Sequence, residues 1–260
     1  MQKIISWNVA SVRARMPVLT EFLRVEKPDI VLLQEIKATE ENFPFFDFQM
    51  EGYKAVISGQ KGYNGVAILT QGTLKNIKTA LPGFDDQARF VQGETEAGVV
   101  IISVYVPNGN PPEKDPADQS KLKYKLAWMQ ALKEHIDALI RDGRQVVLGG
   151  DFNVIERKTD VYAPDLFKES ALMIPAVQQA YRGITEGKLE NMIRKFNKEP
   201  HTYSFWDFQG GAWPKNNGIL LDAIWMTPAL AERVKEAVIY KEVRGLTGTS
   251  DHVPVGVTFL

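Results

Sequence analysis

Short apolar runs alternate along the chain with segments in which apolar positions recur every three or four residues, the two rhythms of strands and helices. Lys3 to Val9 predicts a strand, Val18 to Glu26 a short helix, and Ile30 to Gln34 a strongly apolar strand. Gly65 to Thr70 and Val99 to Val106 read as further strands, the second so rich in Val and Ile that both faces should be buried. The longest helical pattern runs from Lys121 to Arg141, with Leu122, Leu126, Met129, Leu132, Ile136, Leu139 and Ile140 on one stripe and Gly143 ending it. Gln145 to Gly149 is the next strand. Late strands fall at Leu221 to Met226, Val238 to Lys241 and Val253 to Phe259.

The Pro-rich stretch Pro107 to Pro116 interrupts this rhythm. It reads as a surface loop between two halves of one domain spanning 1–260, since each half alone would leave a sheet face uncovered. Strands at both ends favour a layered α/β sandwich with mixed sheets over a Rossmann fold, and no GxGxxG or P-loop signature occurs.

Composition narrows the chemistry. The chain has 260 residues, 44% hydrophobic and 24% charged, enough to bury a sizeable core. It has no cysteine, which excludes disulfides and thiolate metal sites. Its three histidines, His135, His201 and His252, are too few for a zinc cluster. Any metal would be held by oxygen, which means magnesium, manganese or calcium. No apolar run approaches the roughly 18 residues of a membrane span, and the first residues lack a signal-peptide pattern, so a cytoplasmic protein without membrane contact is expected. The net charge of -1 gives no global footprint for nucleic acid, so any such contact must come from a local basic surface.

Polar residues collect where the apolar runs end. Ser6-Trp7-Asn8 closes the first strand, Gln34-Glu35-Ile36-Lys37 the second, Tyr105-Val106-Pro107-Asn108 the middle one and Gly150-Asp151-Phe152-Asn153 the next. Asp222 follows Ile219-Leu220-Leu221, and Ser250-Asp251-His252 precedes the final strand. Ligands collect at strand ends along one edge of a sheet in α/β folds. Four carboxylates (Glu35, Asp151, Asp222 and Asp251), Asn8, Asn153 and His252 converging there would make a site for a hard cation and a phosphate. Each motif alone has a plainer reading: a solvated strand end for Gln-Glu, a turn for Gly-Asp-x-Asn, a surface pair for Asp251-His252, a satisfied buried acid for Asp222. All six in this order are more than structure alone requires.

The ordered set SWN, LQE-x-K, YVPN, GD-x-N, LD and SDH resembles the exonuclease III and abasic-endonuclease family of the endonuclease/exonuclease/phosphatase superfamily, from Ser6 to His252. LQE-x-K, YVPN and Tyr203-Ser204-Phe205-Trp206 narrow the likeness to the exonuclease III branch. The resemblance implies a four-layered, DNase I-like α/β sandwich, with two mixed sheets packed face to face and helices outside. It implies a Mg2+-dependent DNA phosphodiesterase of base-excision repair, with Mn2+ as substitute, that cleaves 5' of abasic sites or trims 3' ends. The expected partner is double-stranded DNA with abasic sites or blocked 3' ends, and the expected state is a monomer.

By the same resemblance Glu35 is the main metal ligand, with Asn8 and Asp251 close to it. Asp151 orients or deprotonates the attacking water, and Asn153 positions Asp151 and a phosphate oxygen, both at the metal-bearing centre. His252, fixed by Asp222, contacts the scissile phosphate, and Tyr105 is a second phosphate contact. Ala10 stands where relatives often carry Asp or Asn, which removes an extra metal contact. Phe205, Trp206 and Leu221 match the apolar recess that admits a flipped sugar without a base, with core packing the plainer reading of Phe205 and Trp206, and Ile219, standing where some relatives have Trp, is compatible with it. Trp213, in the Gly-rich loop Gly210 to Asn217, reads as a wedge or stacking residue against duplex DNA, or else as a loop anchor. Lys37, Tyr63, Arg89, Asn108 and the basic run Lys188 to Lys198 are candidate DNA contacts, the run also reading as a solvated helix face. Two rivals stand beside this: a superfamily enzyme acting on a phospholipid or inositol phosphate, and a nucleic-acid-binding protein that has lost the chemistry. Phe205, Trp206 and Trp213 weigh against the first, and the intact Glu35, Asp151, Asn153 and His252 against the second.

Overall fold

The computed structural model describes residues 3–260. In chain order the elements are β1 (Lys3–Asn8), α1 (Val12–Glu26), β2 (Ile30–Gln34), α2 (Phe45–Met50), β3 (Lys54–Ser58), β4 (Val66–Thr70), β5 (Leu74–Lys78), β6 (Phe90–Thr95), β7 (Val100–Tyr105) and α3 (Ser120–Arg141). There follow β8 (Val146–Asp151), α4 (Pro164–Phe167), α5 (Pro175–Thr185), β9 (Glu190–Asn191), α6 (Met192–Phe196), β10 (Asp222–Met226), α7 (Pro228–Ala231), β11 (Val234–Ile239) and β12 (Val255–Phe259).

Two mixed sheets of six strands form, ordered β11-β12-β1-β2-β4-β3 and β5-β6-β7-β8-β10-β9. Each has one parallel pair, β1 with β2 and β7 with β8. A parallel pair needs a crossover long enough to hold a helix, which is what α1 and α3 supply. Side chains alternate across each strand, so neighbouring residues serve different layers. Ile4, Leu32 and Ile68 of the first sheet meet Val91, Ile101, Val147 and Ile224 of the second in a buried layer between the sheets. Ile5, Trp7, Val31 and Leu33 face outward under Leu19, Phe22 and Leu23 of α1. Val104, Val146 and Leu148 lie under Trp128, Leu132 and Ile136 of α3 and Val177 and Ile184 of α5. This is the four-layered sandwich expected from the resemblance.

Two features draw the sheets together at one end. A Cβ on Gly149 would lie 2.5 Å from Leu32 Cδ1 of the facing sheet, so only glycine permits the approach. Nearby, Gln34 Nε2 donates across the sandwich to Ser103 Oγ (3.0 Å), which donates to Leu33 O (3.2 Å). These buried polar groups satisfy one another, so the close approach leaves no orphan.

The structure departs from the sequence pattern in four places. Helix α1 begins at Val12, with Pro17 inside it rather than before it. The amides of Ser11 and Val12 bond Glu35 O and Ile36 O, which anchors the helix start upstream of the proline. The last edge strand is Val234–Ile239, and Lys241 begins a 3-10 turn. A bulge between Val234 and Glu236 blurs its alternation. Strands β3, β5, β6 and β9 carried no clear signal: β5 is an edge strand with four of its five residues exposed, and β6 is interrupted by Gln92, Gly93 and Glu94. The Pro107–Pro116 loop joins β7 to α3 between two neighbouring strands of one sheet, so it separates no half of the sandwich from the other. Among the described residues no helix is long and apolar enough to cross a membrane.

Candidate active site

The strand directions explain why the six motifs meet. β1, β2, β7 and β8 end at the same edge with Asn8, Gln34 (then Glu35), Tyr105 and Asp151. β10 and β12 run antiparallel to β8 and β1, so it is their beginnings that reach this edge. Asp222 therefore pairs with Asp151 in register, and Asp251-His252 arrives just before β12.

His252 is the hub. Its Nδ1 lies 2.8 Å from Asp222 Oδ2, and its Nε2 lies 3.6 Å from Asp151 Oδ2. Burial opposes the imidazolium, but the charges of Asp222 and Asp151 overcome it and push His252 up to about 10. Burial pushes Asp151 up to about 7, against the attraction of His252 and with help from the Asp222 charge. Asn8 Nδ2 donates to Asp151 Oδ2 (3.0 Å) and to Glu35 Oε1 (2.9 Å), linking the two acids. Asp151 Oδ1 accepts the Asn153 amide at 2.9 Å. Burial works against the Glu35 carboxylate, yet hydrogen bonds from Asn8 and Lys37 hold it below its ordinary value, so it is ionised at neutral pH. Lys37 pairs with it at 2.9 Å. Burial, with the charges of Glu35 and Asp151, keeps the Tyr105 hydroxyl well above its ordinary value, a neutral donor.

The site edge carries backbone strain. Ala10 (φ 45), Glu35 (φ 49), Lys37 (φ 51) and Asn153 (φ 49) all adopt the left-handed region. Such residues cost roughly 1–3 kcal/mol each and persist only where neighbours hold them. Here Ser11 N bonds Glu35 O at 2.8 Å and Lys37 N bonds Asn64 O at 2.9 Å.

Among the described residues no three acidic or imidazole groups form a ready-made metal cage. The donors that exist still suit Mg2+, which binds through one or two carboxylates, water and substrate phosphate oxygens. Glu35 offers an ionised oxygen beside Asp151, while Asn8 points its amide nitrogen at both acids and accepts the Ala10 amide on its Oδ1. Asp251 Oδ1 lies 3.1 Å from the Ser250 hydroxyl oxygen, and no hydrogen bond joins Asp251 to Glu35.

Beside the centre lies a recess of about 570 Å3 lined by Asn108, Tyr162, Phe167, Leu172, Phe205 and Ile219. Phe205 packs against His252 with the rings tilted by 56° and their centres 4.8 Å apart, which joins recess to centre. Trp206 does not reach it: the ring is 0% exposed, in the core against Tyr203. Leu221 is also buried, packed behind Ile219 with Ile155, Val161 and Leu172. Trp213 is half-buried, edge-on to Trp206 at 5.0 Å with the Lys241 ammonium over its face, the geometry of a loop anchor. Arg89 lies with its guanidinium 4.8 Å from the Tyr105 ring and lines a second cleft of about 400 Å3 with Asn108 and Lys121. Tyr63 is exposed on the loop before β4. The basic run is internally paired: Lys188 with Asp137, Arg194 with Asp160 and Lys195 with Glu190. Of these, only the Arg194–Asp160 pair is buried, and the Lys195–Glu190 pair is solvent-exposed.

Sequence reasoning missed three residues. Ser204 donates to Asp222 Oδ2 (2.6 Å) and accepts the Leu221 and Asp222 amides, so it fixes the acid that fixes His252. Ser250 donates to Asn8 O (2.7 Å) and accepts the His252 amide. Both lay inside motifs read only for their neighbours. Lys125 had no signal, being one charge in a helix.

A profile of the Endonuclease/Exonuclease/phosphatase family matches residues 5–252. An AP endonuclease from Archaeoglobus fulgidus superposes with TM-score 0.93 at 33% identity, over 100% of this chain and 99% of that one. The 3' phosphatase NExo from Neisseria, bound to product DNA hairpin, superposes with TM-score 0.92 at 33% identity over 100% of both. Exodeoxyribonuclease III of Haemophilus influenzae is 29% identical over 269 residues, covering 99% of each chain. Matched from its first strand to the histidine at the centre of its site, the chain belongs to the Endonuclease/Exonuclease/phosphatase family.

Proposed function

We propose that this protein is a Mg2+-dependent DNA phosphodiesterase of base-excision repair, one catalytic domain acting as a monomer on double-stranded DNA. The observation that carries it is one sheet edge where His252, held by Asp222, stands 3.6 Å from Asp151, and Asn8 joins Asp151 to the Glu35 carboxylate. Asp151 accepts the proton of the attacking water. His252, held by Asp222 and Ser204, presents its Nε2–H to a phosphate oxygen, and Tyr105 donates a second hydrogen bond. Glu35 would hold Mg2+, which when bound neutralises phosphate charge and eases departure of the alkoxide. The family is metal-dependent; Mg2+ is favoured here because every available ligand is oxygen. Likeness to an AP endonuclease and to a 3' phosphatase bound to DNA supports DNA as substrate. The apolar recess beside His252 suits a flipped deoxyribose.

The test is cleavage of matched duplexes bearing an abasic site, a 3'-phosphate or an undamaged recessed end. EDTA should abolish activity and Mg2+ or Mn2+ restore it. Asp151→Asn should lose roughly three or more orders of magnitude in turnover with little change in affinity, because the loss falls on the transition state. Full activity in EDTA, or near wild-type turnover by Asp151→Asn, would refute the assignment.

A further inference from the structure

Lys125 lies in the second turn of α3 with 0% of its surface exposed. Its three N–H groups go to the carbonyl oxygens of Asn108 (3.0 Å), Asn153 (2.6 Å) and Ala171 (2.8 Å). That uses every donor the ammonium has. Burying the charge is costly, and burial pushes Lys125 down to about 7 against the opposing pull of Asp151. A leucine or methionine would fill α3 at no such cost, so the position is explained by what the ammonium holds.

The three carbonyls come from three separate segments, each of which builds the site. Asn108 ends the YVPN motif and borders the recess. Asn153 supplies the amide that orients Asp151 (2.9 Å), and its side chain donates to Val106 O (2.9 Å). Ala171 precedes Leu172 in the recess wall. Two of these segments are tied again by Asn110 Oδ1, which accepts from Ser170 Oγ (3.0 Å) and the Ala171 amide (2.8 Å). Gly109 makes room for the stem: a Cβ there would lie 2.6 Å from Lys125 Cδ. Asn153 is in the left-handed region (φ 49), a conformation its surroundings must impose, and Lys125 grips the carbonyl on its far side.

We propose that Lys125 is a positioning residue for the reaction, acting through Asn153 and Asn108 to aim the Asp151 carboxylate and hold the recess wall, an inference that rests on the phosphodiesterase function proposed above. Lys125→Met keeps an unbranched chain up to the ε position and removes the ammonium with all three donors. Turnover on the preferred duplex should fall about 100-fold, the scale of a 1 Å misplacement, while KM changes less than about threefold.

The absence of cysteine permits a cleaner comparison. Lys125→Cys carries a single thiol that can be alkylated in denaturant before refolding. 2-Bromoethylamine restores an ammonium at the lysine position, and 1-bromopropane restores the bulk alone. The aminoethyl form should regain turnover at least about tenfold above the propyl form at matched folded fraction. Equal turnover in the two forms, or wild-type turnover in Lys125→Met, overturns the inference. So does a propyl form that fails to refold where the aminoethyl form succeeds, since Lys125 is then a folding staple. A wild-type protein that cuts none of the three duplexes instead overturns the proposed function, and takes this inference with it.

Discussion

Replacing Asp222 with Asn keeps the size of the side chain and removes the charge beside His252. The two groups are buried and 2.8 Å apart, in a network with Ser204. Unit charges about 4 Å apart at an effective dielectric of 20 attract by about 4 kcal/mol, which is worth roughly three pKa units. With His252 held at about 10 by Asp222 and Asp151 against burial, the variant should bring it down close to its ordinary value. Near pH 8 the imidazolium would be largely lost from the phosphate position. Turnover there should fall by about 100-fold and recover partly as pH drops towards the new His252 pKa. Recovery is capped because Asp151, at about 7, is itself protonated on the way down. Only three histidines are present, so the His252 ring can be followed by NMR titration of both proteins. Stability gives a second readout. Because the folded pKa is raised above the unfolded value near 6.5, the His252 contribution is complete below about 6.5 and is lost as pH rises through about 10. The stability gap between wild type and Asp222→Asn in urea should therefore be widest below about pH 6.5 and close towards pH 10. If His252 in the variant stays charged above pH 9, Asp151 rather than Asp222 holds its proton, and the reasoning fails.

Two further outcomes are expected. Trp213→Ala should lower stability by about 2 kcal/mol, since a half-buried ring packed on Trp206 is removed, and weaken duplex binding less than tenfold. Urea melts beside binding isotherms check this, and a hundredfold binding loss at unchanged stability would mean that the ring contacts DNA directly. His135 is pushed down to about 4 by burial, with Lys78 adding repulsion, and its Nε2 lies 2.6 Å from Gln92 Oε1. A depressed folded pKa gives stability that is present above the unfolded value and lost as pH falls from about 6.5 through about 4. His135→Gln should therefore remove part of the acid sensitivity in that window, and urea midpoints that fall as steeply there as in wild type would refute the assignment.

The centre of the site was readable because its residues sit at the ends of apolar runs, where the alternation of side chains breaks off. Asn8, Glu35, Asp151, Asp222 and His252 each follow or precede such a run, and strand direction alone brings them to one edge. What surrounds the centre was less readable, because burial depends on partners far along the chain. Trp206 and Leu221 belong to motifs that looked like a pocket, yet Trp206 packs into the core and Leu221 behind Ile219. Two of the three aromatic residues that line the recess, Tyr162 and Phe167, come from a segment with no motif. Edge strands such as β5 escaped notice because a strand exposed on most of its length lacks the apolar alternation that marks one. Lys125 shows the same limit from the other side: a buried charge is invisible until the loops it gathers are known.

The order in which strands join the sandwich has a consequence for how activity appears in time. The first sheet opens with β1 and is completed only by β11 and β12, after the whole second sheet has been traversed. His252 meets Asn8 across 244 positions and Asp151 across 101. Contacts of such separation close late, since each must overcome the entropy of a long loop before it stabilises anything. Strain at Glu35 and Asn153 needs those same late neighbours to sustain it. A partly folded or nascent chain therefore carries the acids without their histidine. On this topology the site is complete only once β12 has joined the first sheet.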